Sequence, residues 1–168
     1  MMPPPDHGEI SYKGSGRLLN RKALITGGDS GMGRATAIAY ARKGADVAIN
    51  YLPAEEPDPQ QVAALIRKAG RKAVLIPGDL REEAFCRNLV AQSLSELGGT
   101  DIIVSDAGRQ HQMESILEMT TELFDCTMKT NLYAPFWIIR TALPYLKPGS
   151  TIIATTSEQA YDPPGKSI

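Results

Sequence analysis

Long apolar runs, basic clusters and cysteines are all scarce in this chain, and each scarcity narrows what it can do. No stretch is apolar for long enough to span a bilayer, and the start Met1-Met2-Pro3-Pro4-Pro5-Asp6-His7-Gly8-Glu9 has no apolar signal core. A cytoplasmic protein without membrane contact is therefore expected. Lys and Arg number 18 against 19 Asp and Glu, for a formal net charge of -1, and no basic run occurs. The electrostatic footprint of nucleic-acid binding is missing, which leaves small molecules as the expected partners. The two cysteines, Cys86 and Cys126, fall on separate predicted helices without metal-ligand spacing and are expected to be reduced thiols, with no metal site. Of the two histidines, His7 sits in the N-terminal tail and His111 in a loop, where solvated roles are expected.

What the chain does have is regular alternation. Apolar and β-branched runs near 22–26, 46–50, 73–77, 101–105 and 151–155 predict strands. Between them, segments near 31–43, 58–69, 82–97 and 120–146 predict helices. Strands separated by helices imply right-handed crossovers and a parallel sheet covered on both faces, a doubly wound α/β fold of Rossmann type. Residues 1–20, rich in Pro, Gly and polar side chains, are expected to form an extended arm, and 21–168 a single domain. With 42% hydrophobic residues over 168 positions, one domain can bury a real core.

The chemistry concentrates in Thr26-Gly27-Gly28-Asp29-Ser30-Gly31-Met32-Gly33, which follows the strand-like Ala23-Leu24-Ile25 and opens an Ala-rich helix. Strand, glycine turn and helix in that order build a dinucleotide pyrophosphate site. Gly27 lets the chain leave the strand sharply, Gly31 lets backbone N–H groups approach phosphate, and Gly33 lets helix and strand pack closely. The helix N-terminus then presents its positive end to the anion. Farther along, Pro135 stands one helical turn after Asn131, so the Asn131 carbonyl loses its usual donor and is free to bind water.

The spacing T-G-x-x-x-G-x-G resembles the short-chain dehydrogenase/reductase family, and in particular a bacterial branch of aldehyde reductases and glucose dehydrogenase-like proteins. Further segments carry the resemblance: Asp79 after Ala73-Val74-Leu75-Ile76, then Asp101-Ile102-Ile103-Val104-Ser105-Asp106-Ala107-Gly108, then Lys129-Thr130-Asn131, and Ser157 after Thr151-Ile152-Ile153-Ala154-Thr155-Thr156. The resemblance implies that Gly27, Asp29, Ser30, Gly31, Met32, Gly33, Asn50, Tyr51, Asp79, Leu80, Asp106, Ala107 and Gly108 hold NADP or NAD. It also implies that Ser157 binds the oxygen of an aldehyde or alcohol substrate, and that the Asn131 carbonyl holds a water in a proton relay. Asn50, at the end of the second strand, is neutral and would not repel a 2′-phosphate, which points toward NADP. Arg34 or a nearby hydroxyl is a candidate phosphate contact, with a solvated helix residue as the equal alternative for Arg34. Ser105-Asp106 departs from the family's Asn-Asn, and a carboxylate there would weaken an anionic ligand unless it finds donors or its pKa rises.

The family's catalytic Tyr-x-x-x-Lys pair would fall beyond Ile168. Tyr161 and Lys166 are spaced one residue too far apart to share a helix face, and Pro163-Pro164-Gly165 oppose a helix between them. The expected sheet is therefore incomplete after its fifth strand, and the expected chain is an oxidoreductase portion inactive by itself. A non-catalytic nucleotide-binding fragment is the alternative, and a homo-oligomer or a pairing with a full-length homologue is the expected assembly.

Overall fold

Continuous apolar runs, whose successive side chains point to opposite faces of a sheet, sort the core into two halves. A computed structural model describes residues 5–158 and Tyr161, and five strands form one sheet: β1 (Lys22–Thr26), β2 (Asp46–Tyr51), β3 (Ala73–Pro77), β4 (Ile102–Ser105) and β5 (Thr151–Ala154). The order is β3-β2-β1-β4-β5 and every pairing is parallel, with Ile25 opposite Ile49 on one side and Val104 on the other. Successive side chains point to opposite faces. Leu24, Ala48, Val74 and Ile103 join one cluster with Cys86, Leu89 and Ile138, while Ala23, Ile25, Val47, Ile49 and Val104 join the other with Ala37, Val62 and Ile66. Thus α1 (Gly31–Arg42) and α2 (Asp58–Lys68) cover one face, and α3 (Glu83–Leu97) and α5 (Ala134–Ala142) cover the other. This is the doubly wound arrangement, and it leaves the glycine turn at the carboxyl ends of the strands where order reverses between β1 and β4.

The segment expected as one helix over 120–146 is broken. It comprises α4 (Thr121–Met128), a π-helical turn at Lys129–Tyr133, α5, and a last tight turn at Leu143–Tyr145. Thr120 starts it, its hydroxyl accepting from the Leu123 N–H at 3.2 Å. Pro135 has no N–H to give the Asn131 carbonyl, and the widened turn accommodates this, with the Ala134 N–H reaching back to Lys129. At the sheet's edge β5 is exposed along its length, with Ile152 and Ile153 at 39% and 40%.

The N-terminal arm is held against α1 at Glu9, Tyr12 and Leu18. The Arg42 guanidinium donates to the carbonyls of Glu9 and Tyr12, the Leu18 N–H donates to Lys43 at 3.0 Å, and Leu18 packs against the α1/α2 core. The Glu9 carboxylate accepts from Arg34 at 2.9 and 3.1 Å. Burial works to raise the Glu9 carboxyl but is outweighed by its own N–H, by Arg34 and by the His7 N–H, so it lies below the usual range. Composition hides this docking because α1 supplies the partners. A Cβ at Gly14 would stand 1.8 Å from the Arg42 carbonyl oxygen. Gly14→Ala is therefore expected to lift the arm and speed tryptic cleavage at Lys13 and Arg17 while the domain stays folded. Unchanged cleavage would show that the arm docks without this close approach.

Candidate functional site

The turn after β1 is built so that only glycine fits. A Cβ on Gly27 would sit 2.9 Å from the Ala107 Cα, and one on Gly33 would sit 2.0 Å from the Gly27 carbonyl oxygen. Gly31 has a φ of +51° and nothing within 4 Å of a built Cβ, so its approach side is open. Ser30 stands at the N-cap of α1 in extended conformation, yet its hydroxyl makes no capping bond. The first N–H groups of α1 have no carbonyl ahead of them, so hydroxyl, N–H groups and the positive helix end converge on one place. A dinucleotide pyrophosphate fits this cradle: a bulkier turn would fill it, and its donors call for an anion.

That cradle opens into a cleft of about 330 Å³. Gly27, Asp29, Ser30, Gly31 and Met32 line one wall, with Asn50, Tyr51, Leu52 and Glu55 at one end. Gly78, Asp79, Leu80 and Arg81 form a second wall, and Asp106, Ala107, Gly108, Arg109 and Thr130 a third. Of the thirteen cofactor positions read from sequence, Gly33 alone is not in the lining; it packs beneath the turn. Ser157 and Asn131 do not line the cleft either. Ser157 is exposed beyond the end of β5. The Asn131 side chain is instead a clamp, with Oδ1 accepting the Arg109 N–H at 2.7 Å and Nδ2 donating to the Arg109 carbonyl at 2.8 Å. It thereby fixes the loop that follows Gly108. Tyr161 is fully exposed, and its candidate partner Lys166, with Pro163-Pro164-Gly165, lies outside the described residues.

Electrostatics refine several roles. Asp79 is gripped by the Arg81 guanidinium and accepts the Arg81 N–H at 2.9 Å, which together hold its carboxyl below the usual range against the upward push of burial. Asp106 finds a donor, since the Thr155 hydroxyl reaches its Oδ1 at 2.5 Å, and its other oxygen lies beside Gly33 at the start of α1. The Asp106 and Ala107 N–H groups both bond to Oγ1 of Thr26, at 3.1 and 3.2 Å. Thr26 is fully buried and ties the ends of β1 and β4 together beneath the cleft. Cys86 donates its thiol to the Leu80 carbonyl at 3.2 Å, and burial pushes it up to about 12, so it stays neutral and structural. Among the described residues no group of acidic, His or Cys side chains could hold a metal, and no helix is long and apolar enough to cross a membrane.

Two sequence-derived contacts are redirected. Arg34 is held by Glu9 of the arm and does not line the cleft, which removes it as a phosphate contact. Asn50 lines the cleft but is only 2% exposed, and its Nδ2 donates inward to the carbonyls of Ile76 at 3.2 Å and Gly78 at 3.1 Å. It braces β2 against the loop after β3. Sequence reasoning did not single out Leu52, Glu55, Gly78, Arg81, Arg109 or Thr130 as lining. Arg81, two residues beyond Asp79, carried the one available signal, a cation spaced to grip its neighbour.

Comparison with known proteins agrees with this geometry. Residues 21–167 match the family described as short chain dehydrogenase. The chain is 58% identical over 163 residues to the oxidoreductase YhxD of Bacillus subtilis (strain 168), covering 97% of this chain and 54% of that protein. The short chain dehydrogenase of Burkholderia cenocepacia J2315 in complex with NADP superposes with a TM-score of 0.86 at 34% identity, covering 90% of this chain and 61% of that one. The NADH-dependent reductase A1-R′ complexed with NAD superposes with a TM-score of 0.82 at 27% identity, covering 90% and 66%. The chain thus spans about half the length of the curated relative.

Proposed function

Because the chain belongs to the short-chain dehydrogenase family, we propose that it holds NADP or NAD in the cleft above the glycine turn. It would serve there as the cofactor-binding portion of an oxidoreductase acting on an aldehyde or alcohol. The observation that carries this reading is the turn itself, where Gly27 and Gly33 leave no room for a Cβ and Gly31 opens the face toward the α1 N-terminus. The pyrophosphate would take the first N–H groups of α1 and the Ser30 hydroxyl. The adenine would lie between the Asp79-Leu80 segment and Tyr51, and the remaining length would run past Ala107 and Gly108 toward the β5 end. A bound nicotinamide would supply or accept the hydride.

Ser157 would hydrogen-bond the reacting oxygen, and Asn131 would act through the loop it clamps and through its proline-exposed carbonyl. The 168 residues contain no Tyr-x-x-x-Lys pair, so by themselves they are expected to turn over no carbonyl substrate, a positioned general acid being worth about 10²–10⁴-fold. A homo-oligomer in the cytosol fits the exposed Phe124, Leu132 and Phe136 of the α4 to α5 segment, a face that a second copy or a full-length homologue could cover. The test is a titration of NADH and NADPH followed by nicotinamide fluorescence, alongside an assay on short aldehydes. Saturable binding without turnover is expected. Binding of neither dinucleotide would overturn the reading, and turnover abolished by Tyr161→Phe would overturn the expectation that these residues are inactive by themselves.

A further inference from the structure

Resting on the dinucleotide reading above, we infer that the adenosine end of the cleft selects NAD(H) over NADP(H), and that Glu55 sets the choice. Solved relatives of this fold are found with either dinucleotide, so fold alone does not decide. The neutral Asn50 by itself points toward NADP, but its geometry removes the argument. Its amide donors are turned inward onto Ile76 and Gly78, and at 2% exposure it offers a phosphate nothing. Arg34 is likewise committed to Glu9.

Two donors where β2 ends are already taken by carboxylates. The Leu52 N–H, which an incoming anion would seek, donates to Oε2 of Glu55 at 2.9 Å. The Tyr51 hydroxyl donates to Oε1 of Glu56 at 2.7 Å. Burial, followed by that bond, pushes the Tyr51 phenol up to about 12, so it stays a neutral donor to Glu56. Asp29, 3% exposed in the facing glycine turn, lines the same cleft. The lining cations are Arg81, which grips Asp79, and Arg109, whose charge also acts on Asp79. A 2′-phosphate would therefore arrive beside Glu55 and Asp29, with the Leu52 N–H and the Tyr51 hydroxyl already bonded to carboxylates. A 2′-hydroxyl is itself a donor and finds acceptors there.

An acidic residue near the end of the second strand is a general device for holding the ribose 2′-hydroxyl. Here the strand's own last residues are Asn50 and Tyr51, and the charge is brought from the short turn Pro53–Glu55. Because Glu55 folds back onto the Leu52 N–H, its carboxylate stands immediately after the end of β2, in the lining of the cleft.

The experiment is calorimetric titration of the chain with NAD⁺, NADP⁺, 5′-ADP and 2′,5′-ADP at low and high salt, for wild type, Glu55→Gln and the distant exposed Glu118→Gln. Gln keeps an acceptor for the Leu52 N–H and removes only the charge. Wild type is expected to bind each 2′-hydroxyl ligand about tenfold more tightly than its 2′-phosphate counterpart. Glu55→Gln should close most of that gap, chiefly by improving the phosphorylated ligands, and the gap should shrink in high salt. Glu118→Gln should leave it unchanged. Equal or tighter binding of the phosphorylated ligands by wild type, or an unchanged ratio in Glu55→Gln, overturns the selectivity while the dinucleotide reading stands. Binding of none of the four overturns both.

Discussion

Gly33→Ala is expected to cost the chain about 3 kcal/mol and lower its melting midpoint by roughly 6–12 °C, with nucleotide affinity lost beyond about tenfold. The added methyl would stand 2.0 Å from the Gly27 carbonyl oxygen, a backbone atom at the start of the turn, and 3.0 Å from Oδ2 of Asp106. A flexible side chain could swing away, but these cannot. Relief requires α1 to move off β1, which pulls its first N–H groups from the place where phosphate would sit. Gly31→Ala separates the two effects. There the backbone sits at φ +51° with open space around a built Cβ, so the cost is left-handed strain of about 1–2 kcal/mol and no clash. Gly31→Ala should therefore lose affinity out of proportion to stability, because its methyl would fill open space beside the proposed pyrophosphate position. Scanning calorimetry and titration on both variants check this. If Gly33→Ala melts and binds as wild type does, close helix-to-strand approach is not what reserves this position for glycine.

Much of the fold can be read from local pattern, and the reason is geometric. Continuous apolar runs in β1, β2 and β4 place Leu24, Ala48 and Ile103 on one face and Ile25, Ile49 and Val104 on the other, as a parallel sheet buried on both faces requires. The cradle is equally legible, since glycines at 27, 28, 31 and 33 mark a tight turn from strand into helix. What escapes sequence reading depends on partners far along the chain. Arg34 reads as an available cation until Glu9, 25 residues away, is seen to hold it. Asn50 reads as a tolerant neighbour for phosphate until Ile76 and Gly78 are seen to take its donors. The break in the segment from Thr121 to Tyr145 lies between these cases. Pro135 marks the missing N–H in sequence, but whether the helix ends, kinks or widens to a π turn depends on how α5 seats against α3. Asn131 shows the same limit: proline was the signal for its carbonyl, while its side chain's grip on Arg109 comes from a loop that only the sheet brings near.

The same logic gives the Thr26 hydroxyl a large expected effect. Thr26→Val preserves shape almost atom for atom and would pass as a mild change in a buried strand. Yet Oγ1 of Thr26 accepts from two backbone N–H groups, those of Asp106 at 3.1 Å and Ala107 at 3.2 Å, inside a residue with no solvent exposure. Valine leaves both donors facing a methyl, and an unsatisfied buried donor costs about 1–3 kcal/mol. These two groups are partly buried, so a combined loss of roughly 2–3 kcal/mol is expected, a large share of the about 5–15 kcal/mol that holds a typical domain together. The damage would fall on the wall that carries Ala107 and Gly108, so nucleotide affinity should drop with stability. Thr26→Ser retains the acceptor and loses only a methyl group, and it should recover most of both. Thermal unfolding and dinucleotide titration of the pair decide the matter: if Val and Ser variants are equally stable, the clamp between β1 and β4 is held by the sheet itself and not by this hydroxyl.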